Sequence, residues 1–285
     1  MADKAVRVDV SQRPNASLPR RVSYSQMSLY EQCGLKFYFS YLGGWKEPPT
    51  VHLAIGSLTH DVVERLYRLP AEDRTLENAI DLLRQYGPEF LKQPEYKQFA
   101  DDMQMRQTIR EAIENLFIVE KPHELVVNPD HLEMELNVEM NGVNFFGKVD
   151  RYTEDGINRV SDYKTGKSPG KFVDDKLCQP YMYALAFKLQ HNIDVQEVEL
   201  IYLNAGEVVR REVDPAIMLS QGEKLAKMRA GSEKDISEVA WDARPQRLCD
   251  WCSFQEACPA RNPDAPQPGT IASDDLLKKA GLIQR

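Results

Sequence analysis

The sequence lacks any apolar run close to the roughly 18 to 20 residues that a membrane-spanning helix needs. Its N-terminal segment, MADKAVRVDVSQRPNAS, also lacks the apolar core of a secretory signal. We therefore expect a cytoplasmic protein that makes no contact with a membrane.

Cysteine and basic charge are also scarce. Five cysteines among 285 residues do not indicate a disulfide framework in a reducing compartment. The 36 lysines and arginines are outnumbered by 44 aspartates and glutamates, which gives a formal net charge of -8. This balance excludes a protein that holds nucleic acid by its bulk charge alone. A local basic groove remains compatible with it.

The composition is that of a folded protein, with 42% hydrophobic and 28% charged residues. The two ends are polar and punctuated by proline, so we expect flexible tails at residues 1–22 and 261–285. Between them we expect one domain over residues 23–260. Its predicted parts are a helical part at 23–130, a core sheet at 131–214, and a helix with a cysteine cluster at 215–260.

The sheet is predicted from a change of pattern at His131. Apolar and polar residues alternate over 132–140, which is typical of a half-buried strand. The Asn141-Gly142 turn that follows is a strong hairpin signal and predicts a partner strand at 143–152. A third strand, a helix, a further strand pair and a last helix follow. This order predicts an α/β fold with a mixed central β-sheet flanked by helices.

Three charged residues lie on two neighbouring predicted strands. Asp150 is on one strand, and Asp162 and Lys164 are two apart on the next, so these two share a face. Two carboxylates and an ammonium group are suited to holding a divalent cation and directing a water at a phosphodiester. Taken alone, Asp162 and Lys164 fit a surface ion pair better than a catalytic site, and the neighbouring motifs reverse that preference.

Two helices carry further candidates. His60 and Glu64 are four residues apart on one helical face, and the imidazole could complete a metal site. Gln179 and Tyr183 are one turn apart on a later helix and are suited to contacting DNA backbone or ordering the lysine. An ordinary structural histidine and an amphipathic helix are the competing interpretations.

Together these motifs resemble the RecB-like branch of the PD-(D/E)XK nucleases. The resemblance covers roughly residues 23–260 and is carried by four strings in this order: G-x-x-x-H-x-x-x-E at 56–64, G-K-V-D at 147–150, S-D-Y-K-T-G-K at 161–167 and Q-x-x-x-Y at 179–183. It implies a restriction-endonuclease-like core that uses Mg²⁺ or Mn²⁺. By this resemblance the metal ligands are His60, Asp150, Asp162 and the carbonyl of Tyr163. Lys164 is then the catalytic lysine.

Four cysteines form a second candidate site. Cys249, Cys252 and Cys258 lie within ten residues of one another, and Cys33 stands at a predicted helix break. Four thiolates suit either zinc or an iron–sulfur cluster, and the spacing does not decide between them. AddB-type and CRISPR-adaptation nucleases have a similar arrangement that holds a [4Fe-4S] cluster. That resemblance implies a helical periphery stapled by an iron–sulfur cluster, although Gly34 stands where proline often follows the first cysteine.

The function that we expect is a metal-dependent DNA nuclease. An exonuclease on single-stranded or frayed DNA ends, in recombination, repair or CRISPR-like processing, is the leading hypothesis. The alternative is a non-catalytic DNA-end-binding subunit of a recombination or spacer-acquisition complex. A metal-cluster scaffold without a nucleic-acid role leaves the strand residues unexplained. DNA is the expected partner, with recombination or CRISPR-adaptation proteins as further candidates.

Overall fold

The structure is a computed structural model that describes residues 5–11, 17–168, 170 and 173–284. The helices and strands, in chain order, are β1 Val6–Asp9, α1 Tyr24–Gln32, α2 Gly34–Phe37, β2 Trp45–Lys46, α3 Val51–Arg68, α4 Leu76–Phe90, α5 Met103–Val119, β3 Leu132–Met140, β4 Val143–Thr153, β5 Arg159–Lys164, α6 Val173–Lys176, α7 Cys178–His191, β6 Glu197–Tyr202, β7 Glu207–Glu212, α8 Pro215–Glu238, β8 Ala240–Ala243, α9 Ile271–Lys279 and β9 Ile283–Gln284. A single π-helical turn, Tyr38–Leu42, follows α2.

The chain divides into two compact units, where the sequence predicted one domain. The first unit comprises Met1–Pro48, Glu139–Phe145 and Glu223–Arg285. The second unit comprises Pro49–Val138 and Phe146–Gly222. The first unit is assembled from both ends of the chain, and a contiguous sequence pattern does not reveal such an assembly.

The central sheet has five strands in the order β3-β4-β5-β6-β7. β4 and β5 are antiparallel, β5 and β6 are parallel, and β6 and β7 are antiparallel. A parallel pair needs a crossover connection, which α7 supplies while it packs against β5 and β6. The predicted mixed sheet flanked by helices is therefore confirmed.

Helices α3, α4 and α5 also belong to the second unit and pack against one another. α3 begins after Thr50, whose hydroxyl accepts a hydrogen bond from the Leu53 N–H at 3.2 Å. Leu58, Val62 and Leu66 form its buried stripe, as the apolar periodicity predicts. Among the described residues, no helix combines the length and apolarity needed to cross a membrane.

Both predicted tails contain residues that the structure describes in strands or a helix. β1 pairs with β8 in an antiparallel ribbon, and Val8 and Val10 are buried. At the other end, α9 buries Leu277, and β9 pairs with β2. Both segments carry short apolar alternations that a mainly polar composition obscured. Residues 1–4, 12–16 and 285 of the predicted tails lie outside the described residues.

Candidate metal centre

Two neighbouring strands bring the predicted carboxylates together. Arg151 pairs with Ser161 in the β4–β5 ladder, so the preceding Asp150 lies opposite the following Asp162. The Tyr163 backbone N–H donates a hydrogen bond to Asp150 Oδ2 at 2.7 Å, which fixes that carboxylate. Asp162 is buried, with 3% of its surface exposed.

Helix α3 adds the predicted histidine. His60 Nδ1 lies 3.5 Å from Asp150 Oδ2. Glu133 on β3 joins them, and one ligand atom from each of the three residues lies within 4.8 Å of the other two. Carboxylate oxygens suit both Mg²⁺ and Mn²⁺, whereas an imidazole nitrogen is accepted more readily by Mn²⁺ than by Mg²⁺. Within the described part of the chain this is the one group of three such ligands.

Glu133 is not among the residues that the sequence motifs select. It is one of the polar residues in the alternation over 132–140 that predicts a half-buried strand. Its φ of 52° is in the left-handed region, so the strand is locally irregular there. The sequence nevertheless contains a signal for Glu133. In a regular hairpin, residues at equal distances from the two-residue turn face each other, so the Asn141-Gly142 turn places Glu133 opposite Asp150.

The carboxylates of the site lie close to basic groups, since Lys148 Nζ is 2.6 Å from Glu133 Oε2 and Lys164 faces Asp162. Burial lowers the pKa of His60, but the carboxylates of Asp150, Asp162 and Glu133 outweigh this effect and raise that pKa to about 9. Burial raises the pKa of Asp162 to about 6, against the opposing effect of Lys164. Burial also raises the pKa of Glu133. These shifts indicate a cluster of carboxylates that a divalent ion would stabilise.

The predicted lysine lies in a chain of polar contacts. Lys164 Nζ lies 2.5 Å from Asp162 Oδ2 and donates to Gln179 Oε1 at 3.1 Å. The Gln179 amide in turn donates to the Tyr183 hydroxyl at 2.8 Å. The predicted catalytic residues are therefore brought together in one place. The Lys164 ammonium is held by Gln179 of α7 as well as by Asp162 of its own strand.

The residues present fit a divalent metal. Asp162 Oδ2 is buried and accepts no hydrogen bond of good geometry from the residues described, although it faces the Lys164 ammonium. It therefore keeps lone pairs for a cation. The Tyr163 side chain is not a candidate ligand, because its hydroxyl donates to Glu120 at 3.1 Å. Its backbone carbonyl stays a prediction.

We expect Glu133→Gln to weaken Mn²⁺ binding by about tenfold or more, because it removes an anionic oxygen from the ligand group. Isothermal titration calorimetry of Mn²⁺ into the purified protein measures this change. Glu135→Gln is the matched control, since Glu135 lies two residues along the same strand and is exposed. Equal affinities for the Glu133 variant and wild type would remove Glu133 from the metal site.

The cysteines divide between the two units. Cys33, Cys249, Cys252 and Cys258 all line one cavity in the first unit, whereas Cys178 begins α7 in the second. The Gln246 N–H donates to Cys249 Sγ at 3.4 Å. Burial raises the pKa of Cys258 to about 11. Among the described residues, no three of these sulfurs lie within 4.8 Å of one another.

Comparison with known proteins agrees with the geometry of the metal centre. The chain is 24% identical over 270 residues to the Gene 69 protein of Mycobacterium phage D29, covering 85% of this chain and 97% of that protein. Its fold is similar to the crystal structure of the Eubacterium rectale protein named "Putative exonuclease", with a TM-score of 0.51 and 12% identity over 90% of this chain and 92% of that one. Residues 21–259 match the model of the PD-(D/E)XK nuclease superfamily. The chain therefore belongs to the PD-(D/E)XK nuclease superfamily.

Proposed function

We propose that the protein is a metal-dependent DNA exonuclease of the RecB-like branch. The observation that carries this proposal is the opposition of Asp150 and Asp162 across two strands, with Lys164 and His60 beside them. His60, Asp150, Asp162 and the Tyr163 carbonyl would hold Mg²⁺ or Mn²⁺, with Glu133 next to them. We place this activity in the cytoplasm.

The metal, when bound, lowers the pKa of a water molecule and stabilises negative charge on the phosphate. The protein's own residues orient the reaction. Asp162 and Gln179 hold the Lys164 ammonium near the site of attack, where it stabilises charge that develops on the phosphate oxygens. Tyr183 in turn holds the Gln179 amide. The Tyr163 N–H keeps the Asp150 carboxylate oriented.

An exonuclease acting on single-stranded or frayed ends is the most specific form of this proposal. It is supported by the superfamily match and by the name of the Eubacterium rectale neighbour. We propose that the process served is recombination, repair or CRISPR-like DNA processing, with proteins of those systems as partners.

End-labelled DNA tests the activity. Single- and double-stranded oligonucleotides labelled at the 5′ or the 3′ end are incubated with Mn²⁺, with and without EDTA. We expect progressive shortening from one end of single-stranded DNA, which EDTA abolishes. Binding without cleavage in all conditions would instead support a DNA-end-binding subunit. Internal fragments as the first products would overturn the exonuclease assignment.

We also propose that the cysteine quartet holds a [4Fe-4S] cluster. Support comes from the four thiols that line one cavity, contributed by segments more than 200 residues apart in the sequence. A tetrahedral zinc site brings its sulfurs to about 3.8 Å from one another, since each bond is about 2.3 Å long. No three of these sulfurs lie within 4.8 Å of one another, so they do not match that arrangement. A [4Fe-4S] cluster bound by all four would join both ends of the chain within the first unit.

Cys249→Ser should abolish the iron content and destabilise the protein, because the cross-link between distant segments is lost. Anaerobically purified wild type should contain about four irons per chain and absorb broadly at about 400 nm. Cys178→Ser is the matched control and should keep both iron and stability. One zinc ion and no iron in the wild type would overturn the iron–sulfur proposal but not the nuclease proposal.

A further inference from the structure

A cavity of about 640 Å³ lies in the second unit, next to the carboxyl end of β5. Its walls are the first turn of α3, the beginning of α5, residues 165–167 that follow Lys164, and Asn204. Its volume is within the range of about 300 to 1,000 Å³ that is typical of small-molecule sites. None of the residues assigned above to metal binding or catalysis lines it.

One face of α3 connects this cavity to the metal centre. His52, Gly56 and His60 are spaced four residues apart on that face, and the first and last are about 12 Å apart along the helix. The segment after β5 lies against this face, since a Cβ placed at Gly56 would be 3.4 Å from Thr165 Oγ1, an ordinary contact distance. Asn204 holds the same segment by donating to the Thr165 carbonyl at 2.5 Å.

The walls combine apolar and polar chemistry. Ile55 and Met105 are buried and supply apolar surface, whereas the Gln104 amide supplies hydrogen-bonding groups. The Thr108 hydroxyl donates to the Gln104 carbonyl at 2.9 Å, so it is left to act as an acceptor. Lys167 supplies a cation. The acidic wall residue, Asp102, caps α5 and accepts a hydrogen bond from the Met105 N–H at 2.8 Å.

The electrostatics favour an anionic group on one side of the cavity. α3 begins there, and a helix N-terminus carries partial positive charge, whereas the Asp102 carboxylate offsets the positive end of α5. Lys167 adds a full charge three residues after Lys164. Apolar surface for a ring, amide groups for its edge and a cation for a phosphate are together the requirements of a nucleotide.

We propose that this cavity is a nucleotide subsite, which binds one nucleotide of the DNA strand within a few positions of the scissile phosphate. The distance along α3 supports this placement, because stacked nucleotides are spaced by about 3.4 Å per strand. The inference rests on the proposed nuclease function. It assigns a binding role to Thr108 and Lys167, which the metal centre does not use.

Two variants test the subsite. Thr108→Trp fills the cavity from α5, and Lys167→Ala removes its cation. Each is assayed with Mn²⁺ on a single-stranded oligonucleotide and on bis(p-nitrophenyl) phosphate, an ester without a nucleoside. We expect kcat/KM on DNA to fall at least tenfold more than kcat/KM on the ester, mainly through KM. Gln107→Trp is the matched control, since Gln107 lies on α5 outside this cavity, and it should leave both rates unchanged.

The outcomes separate the two proposals. DNA and ester rates that fall equally, or a variant with the wild-type KM for DNA, would overturn the subsite and leave the nuclease standing. A wild-type protein that hydrolyses neither substrate would overturn the nuclease proposal and the subsite with it. Fluorescence anisotropy of a labelled oligonucleotide in EDTA adds a readout without catalysis, in which both variants should bind more weakly than the Gln107 variant.

Discussion

Lys164→Met should reduce DNA cleavage by about a thousandfold or more while the protein remains folded. Lys164 supplies the positive charge that faces the phosphate, and such a contribution is typically worth 10² to 10⁴ in rate. A second effect acts in the same direction. Lys164 opposes the rise in the pKa of buried Asp162, so its removal favours the protonated acid, which is a poorer metal ligand.

Initial rates on labelled single-stranded DNA at saturating Mn²⁺ measure this loss, and circular dichroism reports the fold. Lys188→Met is a matched control, because Lys188 is a partly exposed residue of α7 that pairs with Asp194 at 2.9 Å. That variant should retain the wild-type rate. Wild-type cleavage by the Lys164 variant, in a preparation free of contaminating nuclease, would contradict the assigned role.

Arg151→Met should lower the free energy of unfolding by about 3 to 5 kcal/mol, the range expected when one partner of a buried ion pair is removed. The Arg151 side chain is 1% exposed, and its guanidinium lies 2.5 Å from Glu120 Oε1 and 3.2 Å from Glu199 Oε1. Arg151 also lowers the pKa of Glu120 against the effect of burial. Glu199 keeps a second basic partner, Arg210, at 2.8 Å. Glu120 is therefore the carboxylate that mainly loses its ion pair in the variant.

Denaturant unfolding measures the change, and Glu120→Gln with Arg151→Met provides the control. Because the double variant no longer buries an unpaired carboxylate, it should recover part of the stability that Arg151→Met loses. A single variant as stable as wild type would show that this buried network does not contribute to stability. Since Arg151 directly follows Asp150, we also expect weaker Mn²⁺ binding in the single variant.

The central sheet was predictable because its signals are local. The alternation over 132–140 and the Asn141-Gly142 turn predicted the β3–β4 hairpin, and both strands occur in the structure. The prediction that Asp150 lies close to Asp162 followed from placing them on two neighbouring antiparallel strands. The spacing of His60 and Glu64 made His60 a candidate beside the interpretation of an ordinary structural histidine. The resemblance chose between the two, because the helix of His60 is far from these strands in sequence.

Other features depend on long-range tertiary contacts, which a local sequence pattern does not determine. Glu133 joins the site at an irregular position of its strand. Arg151 and Glu199 are buried although charged residues are usually exposed, so no sequence rule placed them inside. The β1–β8 pairing joins residues more than 230 positions apart, and its short strand was hidden in a polar segment.

The most direct test of the metal centre is DNA cleavage as a function of Mn²⁺ concentration, for wild type and Asp150→Asn in parallel. Our account predicts no cleavage by wild type in EDTA, full recovery when Mn²⁺ is added, and no cleavage by Asp150→Asn at any millimolar concentration of Mn²⁺. Cleavage by wild type in EDTA, or a wild-type rate for Asp150→Asn, would contradict it.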